Sequence, residues 1–285
     1  MERIAVVGAG TMGTGIAHVC ALAGLRVTLI DAEPAALERG VATIGRNLGR
    51  QVGKARITAA DRDRALALIE PGDSLGGAAR ADLVIEAVPE VAELKGGIFA
   101  ELDAVAPPHA ILASNTSSIS ITGIGARTGR PGRVIGMHFM NPAPVMRLVE
   151  VIRGLRTDDA TTEAVMELSR RLGKTPVEVR DFPGFVSNRV LMPMINEAVF
   201  ALMEGVAEAR SIDTVMTLGM NHPMGPLALA DLIGLDTCLN ILEVLHRELG
   251  DDRYRPCPLL RQYVAAGWLG RKTGRGFHRY PPRSR

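Results

Sequence analysis

Aromatic residues are scarce, with Phe, Trp and Tyr at 4% of the chain and a single Trp. Single-stranded nucleic-acid surfaces stack bases on aromatic side chains set among basic ones. A formal charge of only +2, with 33 Lys and Arg against 31 Asp and Glu, supplies no basic footprint either. Nucleic acid is therefore not expected as a partner. Cysteine is nearly as rare. Cys20, Cys238 and Cys257 are far apart, form no CxxC pair and are odd in number. That argues against a disulfide framework or a thiolate metal site, and reads as a reduced, cytoplasmic chain with small core thiols. No apolar run approaches the ~18 residues of a membrane helix. The first run, Ile4–Val7, has a strand's length and ends in glycines, unlike a secretory leader. Internal repeats and low-complexity segments are absent. The one basic tail, Arg279–Arg285, is short and proline-broken and reads as a solvated end.

What is present is enough apolar material for a well-buried core. The hydrophobic share is 47% over 285 residues, with a mean hydropathy of +0.14, which argues against disorder and allows two domains. Ile4–Val7 reads as a buried strand running into Gly8-Ala9-Gly10-Thr11-Met12-Gly13. A helical stripe of Ile16, Val19, Cys20 and Ala23 follows, stopped by Gly24, and then a second strand, Arg26–Ile30, ending at Asp31. Strand, GxGxxG, helix, strand and acid within about thirty residues is the dinucleotide-binding unit. Gly8 allows the tight turn, Gly10 the approach of a pyrophosphate, and Gly13 close helix–strand packing. The helix N-terminus offers N–H groups and a positive dipole end to phosphates. Asp31 can accept from ribose hydroxyls and repels a 2′-phosphate, so NAD is expected over NADP.

Beyond Pro34 the pattern predicts helices over Ala35–Val52 and Ala59–Ile69, longer than a minimal crossover needs. Arg46, Arg50, Lys54 and Arg56 read either as a solvated face or as a site for an anionic ligand. Ala81–Val88 and Ala110–Ala113 are further buried strands. The first leads to Glu90 and Lys95, the second to Ser114-Asn115-Thr116-Ser117-Ser118. In an open α/β sheet, ligands sit beyond the carboxyl ends of the strands, so these residues are expected at one rim. Capping and turn chemistry explains the Ser/Thr cluster equally well.

Val134–Met140 and Arg147–Ile152 read as two strands around the turn Asn141-Pro142-Ala143-Pro144. A hairpin folded about Pro144 sets His138 opposite Glu150, six residues away on either side. A carboxylate beside an imidazole favours its charged form, fixes its tautomer and orients it, as a general base requires. A structural ion pair is the other reading of two such residues alone.

Val177–Val179 is the last predicted strand, and Asp181-Phe182-Pro183-Gly184 marks a boundary. Helices are expected over 185–203, 211–218, 227–249 and 258–266. The fold expected is an α/β Rossmann-type domain over 1–182 and a smaller all-α domain over 183–285. Asn188 lies in the first turns of the second domain, where helix-end hydrogen bonding is its other reading.

Together the two halves resemble the 3-hydroxyacyl-CoA dehydrogenase family, and within it the short bacterial enzymes of 3-hydroxybutyryl-CoA. The resemblance runs from Ile4 to Tyr280 and rests on VVGAGTMGTGIA, SNTSSISIT, GMHFMNPAPVMRLVEVI, DFPGFVSNRVLMPMINEA, HPMGPLALADLIGLDT and LGRKTGRGF. It implies His138 as catalytic base oriented by Glu150, with Ser117 and Asn188 bonding the reacting oxygen of an acyl-CoA substrate. It also implies NAD held by Gly8, Gly10, Thr11, Met12, Gly13 and Asp31, helped by Glu90, Lys95, Asn115 and Lys272. Lys54 matches the family's CoA-contacting lysine, and the helical domain is expected to form a homodimer. No metal is implied. Met140 and His278 stand where many members carry Phe and Tyr, which bears on acyl-chain preference. Two other readings stay open: a dehydrogenase of free 3-hydroxy acids, and a catalytically silent NAD-binding protein.

Overall fold

The computed structural model describes residues 1–281. It divides into two compact units, residues 1–182 and a second beginning at Pro183. The first unit is an eight-stranded sheet among the described residues: β1 Arg3–Val7, β2 Arg26–Ile30, β3 Ile69–Gly72, β4 Leu83–Glu86, β5 Ile111–Ser114, β6 Val134–Phe139, β7 Leu148–Arg153 and β8 Thr175–Arg180. Its helices are α1 Thr11–Leu22, α2 Pro34–Gly53, α3 Ala59–Ala67, α4 Ala92–Val105, α5 Ile121–Gly125 and α6 Asp159–Arg171. The strand order is β3-β2-β1-β4-β5-β6-β7-β8. Only the β6–β7 pair is antiparallel, and the other neighbours run parallel.

Parallel strands covered by helices are buried on both faces and carry continuous apolar runs. Accordingly β4, β5 and β6 are buried throughout. Ile4, Val6, Ile16, Leu25, Leu29, Leu83, Ile85, Ile135 and Val149 belong to one core beneath α1, α2 and α6. The strand order reverses between β1 and β4. That is the topological switch point, where a crevice opens beyond the carboxyl ends.

Several boundaries differ from the expectation. The segment expected as helix to Ile69 stops at Ala67, and residues 69–72 pair with β2 as an edge strand, β3. With the sequence IEPG it lacks a strand's apolar pattern. Its Pro71 is tolerated because an edge needs no partner on one side. The strand expected over Val177–Val179 extends to Thr175–Arg180 through its ladder with β7.

The second unit contains α7 Ser187–Met203, α8 Ala209–Thr214, α9 Pro226–Ile233, α10 Leu235–Leu249 and α11 Pro258–Ala265. The single helix expected over 227–249 is broken at Gly234, whose φ of +107° ends one helix and begins the next. The helix expected over 211–218 ends at Thr214 and continues as a π turn, Val215–Gly219. Met192, Ile195, Val199, Leu227, Leu235, Leu242 and Leu260 form this unit's core. Two buried carboxylates brace it. Asp213 accepts from the Leu227 and Ala228 amides in the first turn of α9, both at 2.9 Å, and from His278 Nε2 at 2.7 Å. Asp231 accepts from the amides of Phe277 and His278 and from the Tyr280 hydroxyl, each at 2.9 Å. Burial, the negative charge of Asp231 and the hydrogen bond to it push the Tyr280 hydroxyl up to about 12. Among the described residues no helix is long and apolar enough to cross a membrane. The basic tail beyond residue 281 lies outside the described residues.

Candidate active site

The glycine loop joins β1 to α1, and what each glycine avoids differs. Gly8 has φ +102°, and a Cβ there would lie 2.8 Å from the Ala87 carbonyl oxygen. A Cβ at Gly13 would come within 1.7 Å of the Gly8 carbonyl oxygen. At Gly10 a Cβ would meet nothing within 4 Å. Internal packing thus does not demand Gly10, and the loop is open on that side, as a close-lying pyrophosphate requires. No side chain caps α1, so amides of its first turn, from Thr11 and Met12 on, are left to a ligand. The Asp31 carboxylate, at the end of β2, accepts from Ala9 N at 2.7 Å and Glu33 N at 3.0 Å. It therefore braces the same loop. These residues fit a dinucleotide.

Beside the loop, beyond β4, lies a buried charge network. Glu86 is wholly buried. It accepts from Lys95 Nζ at 2.6 Å, Val88 N at 2.7 Å and Ser114 Oγ at 2.6 Å. Lys95, itself buried, also donates to the Val88 carbonyl at 3.1 Å and lies 3.4 Å from Glu90. Glu90 accepts from Thr116 Oγ1 at 2.6 Å, Ser117 N at 2.9 Å and Ser118 N at 3.0 Å. Burial alone would raise the Glu90 carboxyl. The Lys95 charge and the bonds from Thr116, Ser117 and Ser118 outweigh it and hold the group below the usual carboxylate range. Glu90 thereby joins the β4 rim to the Ser/Thr loop after β5. The turn chemistry expected of that loop is present, and these bonds fix where Ser117 stands.

The hairpin register pairs His138 with Glu150. Both are buried, and His138 Nδ1 lies 2.9 Å from Glu150 Oε2. A carboxylate can only accept, so Nδ1 carries the hydrogen and the neutral ring's lone pair falls on Nε2. The β5–β6 ladder ends at Ser114 and Gly136. Past that point the Asn115 side chain takes over, accepting from Phe139 N at 2.9 Å. Asn115 thus holds the strand end that carries His138.

Arg46, Arg50, Lys54 and Arg56 are exposed on or just beyond α2. None has an acidic partner among the described residues; Arg46 bonds Thr43 and Arg50 bonds Asn47. In the second unit, Asn188 is buried in the first turn of α7. Lys272 Nζ lies 2.6 Å from an Asp236 oxygen. His278 is tied to Asp213, and Met140 follows the last residue of β6. Sequence reasoning passed over Glu86, and placed Ser114 and Thr116 in the rim cluster without individual partners. A glutamate inside the apolar strand ADLVIEAV was the available signal, since a buried carboxylate demands a partner.

Residues 3–182 match the 3-hydroxyacyl-CoA dehydrogenase family's NAD binding domain, and residues 184–280 match its C-terminal domain. The chain belongs to the 3-hydroxyacyl-CoA dehydrogenase family. It is an enzyme of that family, with the sheet unit as its NAD-binding domain. It is 56% identical over 280 residues to the 3-hydroxybutyryl-CoA dehydrogenase of Bradyrhizobium diazoefficiens, covering 98% of this chain and 96% of that one. A probable 3-hydroxybutyryl-CoA dehydrogenase of Bacillus subtilis is 58% identical over 98% of both chains. The crystal structure of (S)-3-hydroxybutyryl-CoA dehydrogenase from Ralstonia eutropha superposes with a TM-score of 0.96 at 53% identity, over 99% of each chain.

Proposed function

We propose that the protein interconverts 3-hydroxyacyl-CoA and 3-ketoacyl-CoA, with 3-hydroxybutyryl-CoA as the acyl class, and that His138 is the base. The observation that carries this reading is the buried His138–Glu150 pair at 2.9 Å, in a chain of dehydrogenase relatives. In the oxidising direction His138 Nε2 takes the proton of the 3-hydroxyl. Glu150 stabilises the imidazolium that forms. Bound NAD supplies the acceptor for the hydride that leaves C3. In the reducing direction the imidazolium returns its proton to the ketone oxygen. A positioned base of this kind contributes roughly 10²–10⁴-fold.

Ser117 is read as a donor to the reacting oxygen, supported by its fixation through Glu90. Glu90 and Lys95 serve the cofactor rim by holding that loop, and Asn115 by holding the end of β6. Asn188 as a second donor and Lys272 as a cofactor contact rest on the resemblance. Lys54, with Arg50 and Arg46 one and two turns before it, suits the anionic part of CoA. Asp31 favours NAD over NADP. A homodimer through the helical unit is supported by exposed Val206, Leu218 and Met220. A cytoplasmic location is supported by three buried free thiols.

Turnover of acetoacetyl-CoA with NADH, followed at the nicotinamide absorbance, tests the reading. Free acetoacetate is run beside it. Equal efficiency on both would replace the thioester assignment with a free-acid dehydrogenase, and no turnover on either would leave only a silent NAD-binding protein.

A further inference from the structure

The hairpin that carries His138 ends in a turn short of donors. Pro142 and Pro144 have no N–H, and the turn's own bonds run from Val145 N and Met146 N to the single Pro142 carbonyl, at 2.9 and 3.0 Å. The Ala143 carbonyl belongs to a residue only 2% exposed. A buried carbonyl left unpaired costs as much as a lost hydrogen bond. The donor comes from outside the hairpin. Lys174 Nζ lies 2.5 Å from the Ala143 oxygen and 2.8 Å from the Met146 oxygen. Lys174 stands just before β8, and Thr175 N bonds the Arg147 carbonyl at 2.7 Å, so the lysine is itself registered to the foot of β7. On the other side the turn meets α1, where a Cβ on Gly15 would come to 3.2 Å of Ala143 and 3.3 Å of Pro144. The turn is thus held between the helix that begins at the glycine loop and one ammonium.

We propose that Lys174 is a positioning residue for catalysis: by tying the Ala143 and Met146 carbonyls together it fixes the turn that begins three residues beyond His138, and with it the imidazole. The inference rests on the reading of His138 as the base. A side chain cannot be held to within a fraction of an ångström by its ladder alone when the strand end is loose, and small misplacements cost large factors in rate. Burial draws the Lys174 ammonium below the usual lysine range, while the two carbonyl acceptors favour its charged form. Loss of the ammonium frees both carbonyls, and the end of β6 gains room to move.

The test uses Lys174→Met, Lys174→Gln and Lys174→Arg in the full chain, with kcat for acetoacetyl-CoA reduction and NADH affinity measured on the same preparations. Lys174→Met is expected to lower kcat by roughly ten-fold or more with NADH affinity within about two-fold, because the glycine loop is untouched. Lys174→Arg, which can donate to both carbonyls, restores most of the rate, and Lys174→Gln, with one shorter donor, falls between. In a His138→Gln background the Lys174→Met change adds less than about two-fold, since two residues acting through one group are not additive. An undiminished kcat in Lys174→Met, or an equal fold-loss with and without His138, overturns the proposal. If Lys174→Met proves too unstable to assay, the Gln and Arg variants decide by the same ordering. If His138→Gln alone keeps its rate, the base reading itself fails, which is a different result from failure of Lys174 to act through it.

Discussion

Each unit buries charge, and the two do so differently. In the helical unit, Asp213 and Asp231 accept chiefly from backbone amides, with His278 and Tyr280 completing the set. Those bonds tie the segment around residues 277–280 to α8 and α9, and α8 to α9. In the sheet unit, Glu86 pairs with Lys95 and His138 with Glu150, side chain to side chain, at the edge where β4 and β6 end. A buried carboxylate surrounded by amides is a brace. One facing an imidazole or ammonium at the rim of a parallel sheet holds groups that can move a proton or place a ligand. Burial of charge is therefore no sign of chemistry by itself. The partner type and the position in the sheet separate the two cases.

The sharpest way to break that distinction is His138→Gln. It is expected to cost about 10²–10⁴ in turnover while leaving NADH affinity close to intact, with both measured on one preparation. Retention of more than about a tenth of the rate would make the pair a brace after all.

Lys95→Met strands the Glu86 carboxylate, which is wholly buried. Removing one partner of such a pair destabilises by about 3–5 kcal/mol. Asp231→Asn keeps an acceptor for some of its donors, so about 1–3 kcal/mol is expected there. Urea unfolding of the two variants gives the comparison, and an inverted order would contradict it.

His18 sharpens the case of a buried titratable group with no acidic partner among the described residues. Its ring is almost wholly buried, and burial followed by the Lys174 charge lowers it from 6.5 to about 4. The unfolded chain therefore binds the proton first. The stability of the neutral ring is fully present above pH 6.5 and is lost as pH falls toward 4, on the order of 3 kcal/mol in all. His18→Gln should flatten the pH dependence of unfolding between those limits. An unchanged slope would mean that another group carries it.

Glu150→Gln is expected to fold and to lose rate. Without the carboxylate, the imidazolium formed in oxidation loses its stabilising neighbour. An identical rate would rule out an electrostatic role for Glu150.

The smallest effect belongs to Lys54→Ala, an exposed cation with no acidic partner among the described residues. A several-fold rise in KM for acetoacetyl-CoA with little change in kcat is expected, because a remote contact contributes binding without touching the reacting carbon. For acetoacetyl-N-acetylcysteamine, which lacks the CoA nucleotide, variant and parent should agree. An equal loss on both substrates would place Lys54 in the fold instead.

Local signals were legible. The glycine loop and Asp31 read correctly as strand, turn, helix and strand because an apolar run, a GxGxxG turn and a helical stripe follow one another directly in the chain. The His138–Glu150 register followed from the symmetric placement of the two residues about Pro144. β3 was not legible, since IEPG becomes a strand only by lying against β2. The break at Gly234 was hidden inside a continuous apolar stripe, because periodicity reports a buried face and not a change of axis.

The sequence by itself determined the doubly wound unit, the helical unit and the chemistry-bearing residue types, through apolar patterning and turn residues that act over short spans. Apart from the His138–Glu150 pair, only the tertiary structure decided which partner each buried charge finds. Lys95 meets Glu86 because α4 packs back beside the end of β4, and Lys174 reaches Ala143 because β8 lies against β7. Such pairs join residues with no periodic relation. Their energy comes from desolvation and geometry that exist only once the chain has folded.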